Sequence, residues 1–178
     1  MLFRKILPVI LLFCSAQLSA QRIVIRGQET SRPLIWDDFS GRPDREASYH
    51  AYTYWNISYK FDAFQFKGDT AKWNVIITVE LGKNSWKKND KITDTLLKHE
   101  QGHFDIGILC AMELQRRINA TVFMRTDYQA SFAAIIKEVV DKYKQMDLQY
   151  DAETNHHANR QEQWKWDAFF AANIKRSS

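Results

Sequence analysis

Between Tyr52 and Asp62 the side chains alternate, with Thr53, Trp55, Ile57, Tyr59 and Phe61 set against Asn56, Ser58, Lys60 and Asp62. A period of two puts the sets on opposite faces of a strand. A short run, Phe64 to Phe66, leads into Lys67-Gly68-Asp69-Thr70, a hairpin turn, after which Trp73, Val75, Ile77, Val79 and Leu81 restore the alternation. Arg22 to Arg26 alternates weakly and predicts a first strand, so this half of the chain reads as an antiparallel meander. On β-preference its aromatics read as core before they read as a substrate groove. Gly82 opens a polar run, Lys83 to Asp90, that predicts an exposed loop.

The period then changes to that of a helix. Thr93 or Asp90 can cap its start, and the spacing persists to about Ile118, with Leu96, His99, His103, Ile106, Cys110 and Leu114 on one stripe. Lys98 and Asp105 point elsewhere and are expected in solvent. Phe132, Ile135, Ile136, Val139, Val140 and Tyr143 predict a second helix to about Leu148, and Gln161, Trp164, Ala168 and Ala171 mark the stripe of a third. The fold class is therefore α+β: a small antiparallel sheet packed on a long helix, with two further helices.

The stripe carries chemistry. His99-Glu100-Gln101-Gly102-His103 reads HExxH, and residues four apart on a helix share a face, so the two imidazoles can converge on one cation. Zinc suits this donor set: a catalytic site takes three protein ligands and keeps a fourth position for water. Glu100 would then take a proton from that water. Gly102 costs about 1 kcal/mol against alanine inside a helix, so a strand or ligand is expected close to its backbone. His156 is the first choice for the third ligand and His157 the second, with Glu138, Glu153 and Glu162 as carboxylate options. Tyr150 and His157 are the candidates for steadying the oxyanion. Ile106 and Leu109 stand where the longer HExxHxxGxxH pattern needs glycine and histidine, which excludes the metzincins.

The start of the chain sets the compartment. Arg4 and Lys5 precede the apolar run Ile6 to Phe13, and Leu18-Ser19-Ala20 offers a cleavage site: the layout of a secretory signal peptide over residues 1–20, followed by one domain over 21–178. The run is too short, and broken by Pro8, to span a bilayer, so no stable membrane insertion is expected after cleavage. Cys14 would mark a lipoprotein instead, but Phe13 is too bulky for the usual signal. The product is thus expected to be secreted or periplasmic. Residues 1–20 carry two of the 25 basic side chains and none of the 21 acidic ones, leaving a net charge of +2. That is too weak to imply a nucleic-acid partner. Cys110 would be the lone cysteine, read as a small buried hydrophobe.

Taken together, the signal peptide, Leu-Ile-Trp-Asp-Asp-Phe at 34–39, Lys-His-Glu-Gln-Gly-His-Phe-Asp at 98–105 and Tyr-Asp-Ala-Glu-Thr-Asn-His at 150–156 resemble a bacterial domain-of-unknown-function family described as predicted secreted zinc-dependent proteases. The resemblance implies a zincin-like metallopeptidase acting on a peptide or protein substrate, with His156 as the family's late histidine; His157 stands where glycine would be expected. In zincins an edge strand before the metal helix can pair with extended substrate, a role that would fall on Val75 to Leu81. Two other readings stay open, a zinc amidase acting on cell-envelope amides and a non-catalytic zinc-stabilised binding module.

Overall fold

The computed structural model describes residues 21–175; the signal-peptide reading and Cys14 lie outside them. Its elements are β1 (Arg22–Ile25), β2 (Gln28–Glu29), β3 (Ala51–Tyr52), β4 (Trp55–Lys67), β5 (Thr70–Leu81), β6 (Trp86–Lys87), α1 (Asp94–Ala120), β7 (Phe123–Met124), α2 (Tyr128–Thr154) and α3 (Arg160–Asn173). The α+β class holds, but the five-stranded sheet is mixed. Its order is β2-β1-β5-β4, with β7 also on β5, and β1 joins β5 in parallel while the other pairs are antiparallel.

The β4–β5 hairpin turns at Gly68, whose φ of +59° is the left-handed geometry glycine adopts without steric cost. Phe64–Phe66 is not a separate strand. It continues β4 beyond a register shift between Asp62 and Gln65, where Ala63 has φ +51°. Val75, Ile77, Val79 and Leu81 are buried as their alternation requires, and they share the core with Ile106, Cys110, Ala111 and Leu114 of α1.

Because β5 is paired on both sides, it cannot be the edge that takes an extended substrate; β4 holds that edge of the sheet. β1 reaches only Thr78 to Glu80 of β5. Further along, buried Gln115 of α1 substitutes for a strand, accepting from Ile77 N at 3.2 Å and donating to Val75 O at 2.9 Å. Lys83–Asp90 is not wholly an exposed loop either. Tyr54 N donates to Ser85 Oγ, and Trp86 is buried in β6 against a stacked Tyr49.

Thr93 caps α1, its hydroxyl accepting from Leu96 N. The predicted stripe is buried throughout, Cys110 included. Asp105 is buried as well, contrary to expectation, and accepts from Gln101 Nε2 at 2.7 Å; the same amide's Oε1 accepts from Leu34 N. Helix α2 runs antiparallel to α1 and does not stop at Leu148 but continues to Thr154. On α3 the predicted stripe is rotated: Trp164 is 63% exposed, whereas Gln163 and Phe170 are buried. No helix among the described residues is long and apolar enough to cross a membrane.

Candidate metal centre

Two helices meet at the site with matching spacing. His99 and His103 lie one turn apart on α1, and Asp147 and Asp151 lie one turn apart on the late stretch of α2. His103 Nδ1 donates to Asp147 Oδ1 at 2.8 Å. His99 Nδ1 is 3.1 Å from Gln163 Oε1, whose amide nitrogen already donates to Tyr150 OH (2.8 Å) and Asp167 Oδ1 (3.0 Å). With the amide direction fixed, His99 Nδ1 must be the donor, so both histidines turn Nε2 inward.

There the two Nε2 atoms are 3.2 Å apart, and each is 3.2 Å from Asp151 Oδ1. Ring lone pairs and a carboxylate oxygen so close repel one another unless a cation sits among them. Burial disfavours a charged His103, but hydrogen bonds to Asp147 and Asp151 and the charge of Glu100 prevail and push its pKa to about 10. Burial likewise would raise Asp151; its bonds to His103 and His99 hold it well below the ordinary carboxylate value instead. The same oxygen also meets His156 Nδ1 at 3.1 Å, and one ligand atom from each of His99, Asp151 and His156 lies within 4.8 Å of the others, a group that could hold a metal ion.

Glu100 is buried beside them and lines the same cavity of about 320 Å³ with His99, His103, Asp151, His156 and His157. Thr53 Oγ1 donates to its Oε2 at 2.6 Å. Burial raises the Glu100 pKa, against the lowering influence of His103, Thr53 and His99.

The other sequence candidates fall as follows. Tyr150 cannot serve the cavity as a donor: its ring is fully buried and its hydroxyl donates to His99 O at 3.0 Å. That ring is also what Gly102 admits, neither strand nor ligand, since a Cβ there would lie 2.2 Å from the hydroxyl. His157 lines the cavity, its Nδ1 buried without a hydrogen-bond partner, and burial lowers its pKa. Its φ of +76° gives a physical reason to expect glycine at that position. Glu138 is not a ligand; it is 68% exposed and paired with Arg117 at 2.8 Å. Glu153 is engaged by Gln149 and Trp166, and Glu162 by Lys165.

Asp147, Asp151, Gln163 and Thr53 were not among the sequence candidates. The signal for the two aspartates was present: an acidic pair at the i, i+4 spacing of the histidines, immediately before the late histidine. For Gln163 and Thr53 the sequence offers none.

Fold and site together define an α+β protein with a buried nest of histidines and carboxylates that could hold a cation. The chain belongs to a family of bacterial proteins of unknown function (DUF922), whose model matches residues 38–158. That span takes in Thr53, the HExxH turn, Asp147, Asp151 and His156 and stops short of α3. Searches among curated proteins and among solved structures gave no match.

Proposed function

We propose that the protein is an exported, zincin-like zinc metallopeptidase, with His99, His103 and Asp151 as the principal ligands. The observation that carries this is the equilateral triangle of donors at 3.2 Å. Zinc with bonds of about 2.0–2.1 Å and tetrahedral angles requires ligand separations of roughly 3.3 Å, so the donor set fits the ion with little movement. When bound, zinc would polarise the scissile carbonyl and make a water molecule acidic.

The remaining work belongs to the chain. Asp147 and Gln163 fix the imidazole tautomers, so that both Nε2 lone pairs face the cation. Thr53 occupies Oε2 of Glu100 and leaves Oε1 to take a proton from the attacking water and pass it to the leaving nitrogen, and the raised pKa brings the carboxylate nearer neutrality for both transfers. A second groove, of about 440 Å³, runs between Thr53 to Ile57, which lead into and begin the β4 edge, and Ile136, Val140 and Lys144 of α2, and shares Tyr52, Thr53 and Asp147 with the metal cavity. An extended chain laid along it suits a peptide substrate better than a small molecule.

The test uses purified mature protein loaded with zinc and an unfolded protein as substrate. Glu100→Gln is expected to keep its zinc and to lose turnover by about 10²–10⁴-fold. Undiminished turnover in that variant would sink the enzyme reading, and loss of zinc would make Glu100 a ligand.

A further inference from the structure

We infer that His156 is an exchangeable fourth ligand, which closes the metal position to substrate in the resting protein. This rests on the zinc reading above. The triangle of His99, His103 and Asp151 supplies three vertices of a tetrahedron, and the fourth is the one a catalytic site must keep open. His156 Nδ1 lies 3.1 Å from Asp151 Oδ1, already a coordination-length edge, and one of its ring nitrogens is within 4.8 Å of a ring nitrogen of His99. A modest swing of one ring would therefore complete the polyhedron.

What sets His156 apart is how it is held. The side chains of His99 and His103 are 2% and 8% exposed, and a buttress behind each fixes its Nδ1. His156 is 57% exposed at the cavity mouth, where its ring rests on Tyr49, which in turn stacks on Trp86. Its backbone is unusual too. Asn155, His156 and His157 have φ of +47°, +48° and +76°, three successive left-handed residues that carry side chains. Such a run persists only where its contacts over-determine it. On one side the segment caps α2, with Asn155 N and His156 N both donating to Asp151 O, and on the other α3 starts at its own cap, Asn159, whose side chain accepts from Glu162 N. With the backbone held there, it is the exposed His156 ring that turns, about its own side-chain bonds, and Asp151 stays in place.

A ligand that needs the fourth position binds more weakly in proportion to the fraction of time it is open. X-ray absorption on the zinc-loaded wild type, which needs no variant, is expected to count three imidazoles, and His156→Ala two. In the cobalt-loaded proteins, acetohydroxamate is expected to bind His156→Ala about 10-fold more tightly than wild type, which corresponds to a site closed nine times in ten. Zinc affinity should fall far less in His156→Ala than in His99→Ala. Two imidazoles in the wild type, or equal hydroxamate affinities, would overturn the assignment. Loss of zinc from His156→Ala as complete as from His99→Ala would also overturn it, by making His156 a principal ligand. A wild type that binds neither metal would remove the zinc reading itself, and the gate with it.

Discussion

Helices α1 and α2 pack against each other along their lengths, yet the two ends of the pair are built on opposite principles. Where the later part of α1 meets the early part of α2 the interior is apolar: Leu114, Ile118, Phe132, Ile135 and Val139 are buried with Phe123. Ions stay outside, with Glu113 on Lys142 and Arg117 on Glu138. Where the first turns of α1 meet the last turns of α2 the interior holds His99, Glu100, His103, Tyr150 and Thr154, with Gln163 brought in by α3. Burying polar groups costs free energy unless each is satisfied, so this end gives up hydrophobic stabilisation for a network that leaves one place for a cation. The apolar end holds the helices together; the polar end uses them as a mount.

The comparison is broken most directly by one substitution at each end. Asp151→Ala removes the vertex shared by both imidazoles, and zinc affinity should fall by more than the roughly 100-fold that marks loss of an outer partner. Equilibrium dialysis against a chelator series measures it, and unchanged affinity would return the third position to His156. Leu114→Ala, at a fully buried site, should lower unfolding free energy by about 2–5 kcal/mol and leave the zinc affinity of the folded protein as it was. Denaturant titration with and without metal separates these effects. If Leu114→Ala weakened zinc binding as much as Asp151→Ala, the division between the two ends would not stand.

The same division explains what the sequence could tell. Hydrophobic periodicity is a signal of apolar burial, so it located β5, α1 and the first five turns of α2. It failed where polar residues take the buried positions: the apolar period of α2 stops at about Leu148 because Tyr150, Asp151 and Thr154 face a polar nest. On α3 the spacing puts Gln161, Trp164, Ala168 and Ala171 on one stripe, but the buried place goes to Gln163, which His99 and Tyr150 both engage. The HExxH spacing survived because it is local. Asp151, proposed above as the third ligand, and the two residues that bond the histidine Nδ1 atoms depend on where α2 and α3 fall against α1, and the partnership of Thr53 with Glu100 spans 47 positions. The parallel pairing of β1 beside β5 is likewise a long-range outcome, with no period to announce it.

A smaller effect tests whether α3 belongs to the mount. Gln163→Met keeps volume and apolar packing but removes the acceptor for His99 Nδ1. Zinc binding by the folded protein should weaken by about 10–100-fold, in addition to the roughly 1–3 kcal/mol that the metal-free protein loses with the buried hydrogen bonds of Gln163. Wild-type affinity in this variant would reduce α3 to a packing element.

The smallest effect supplies the control. Asp38 is also a buried carboxylate, but its counter-charge comes from the chain: Arg32 donates from both terminal nitrogens at 2.7 Å, and Ile35 N donates at 2.9 Å. Burial alone would raise its pKa, and these bonds together with the charges of Arg32 and Arg26 bring it below the ordinary aspartate value instead. A carboxyl whose folded pKa is depressed adds stability that is complete above its unfolded value and disappears as the pH falls through the folded one. Asp38→Asn should therefore cost about 1–3 kcal/mol at pH 7, a difference that shrinks below about pH 4 and vanishes in stronger acid. Unfolding curves across that range, run with zinc and with chelator, should give the same difference in both, because this pair asks for no cation from solution. A difference that changed with metal would mean that Asp38 is coupled to the nest through Leu34 and Gln101, and the polar end would then extend across the whole N-terminal segment.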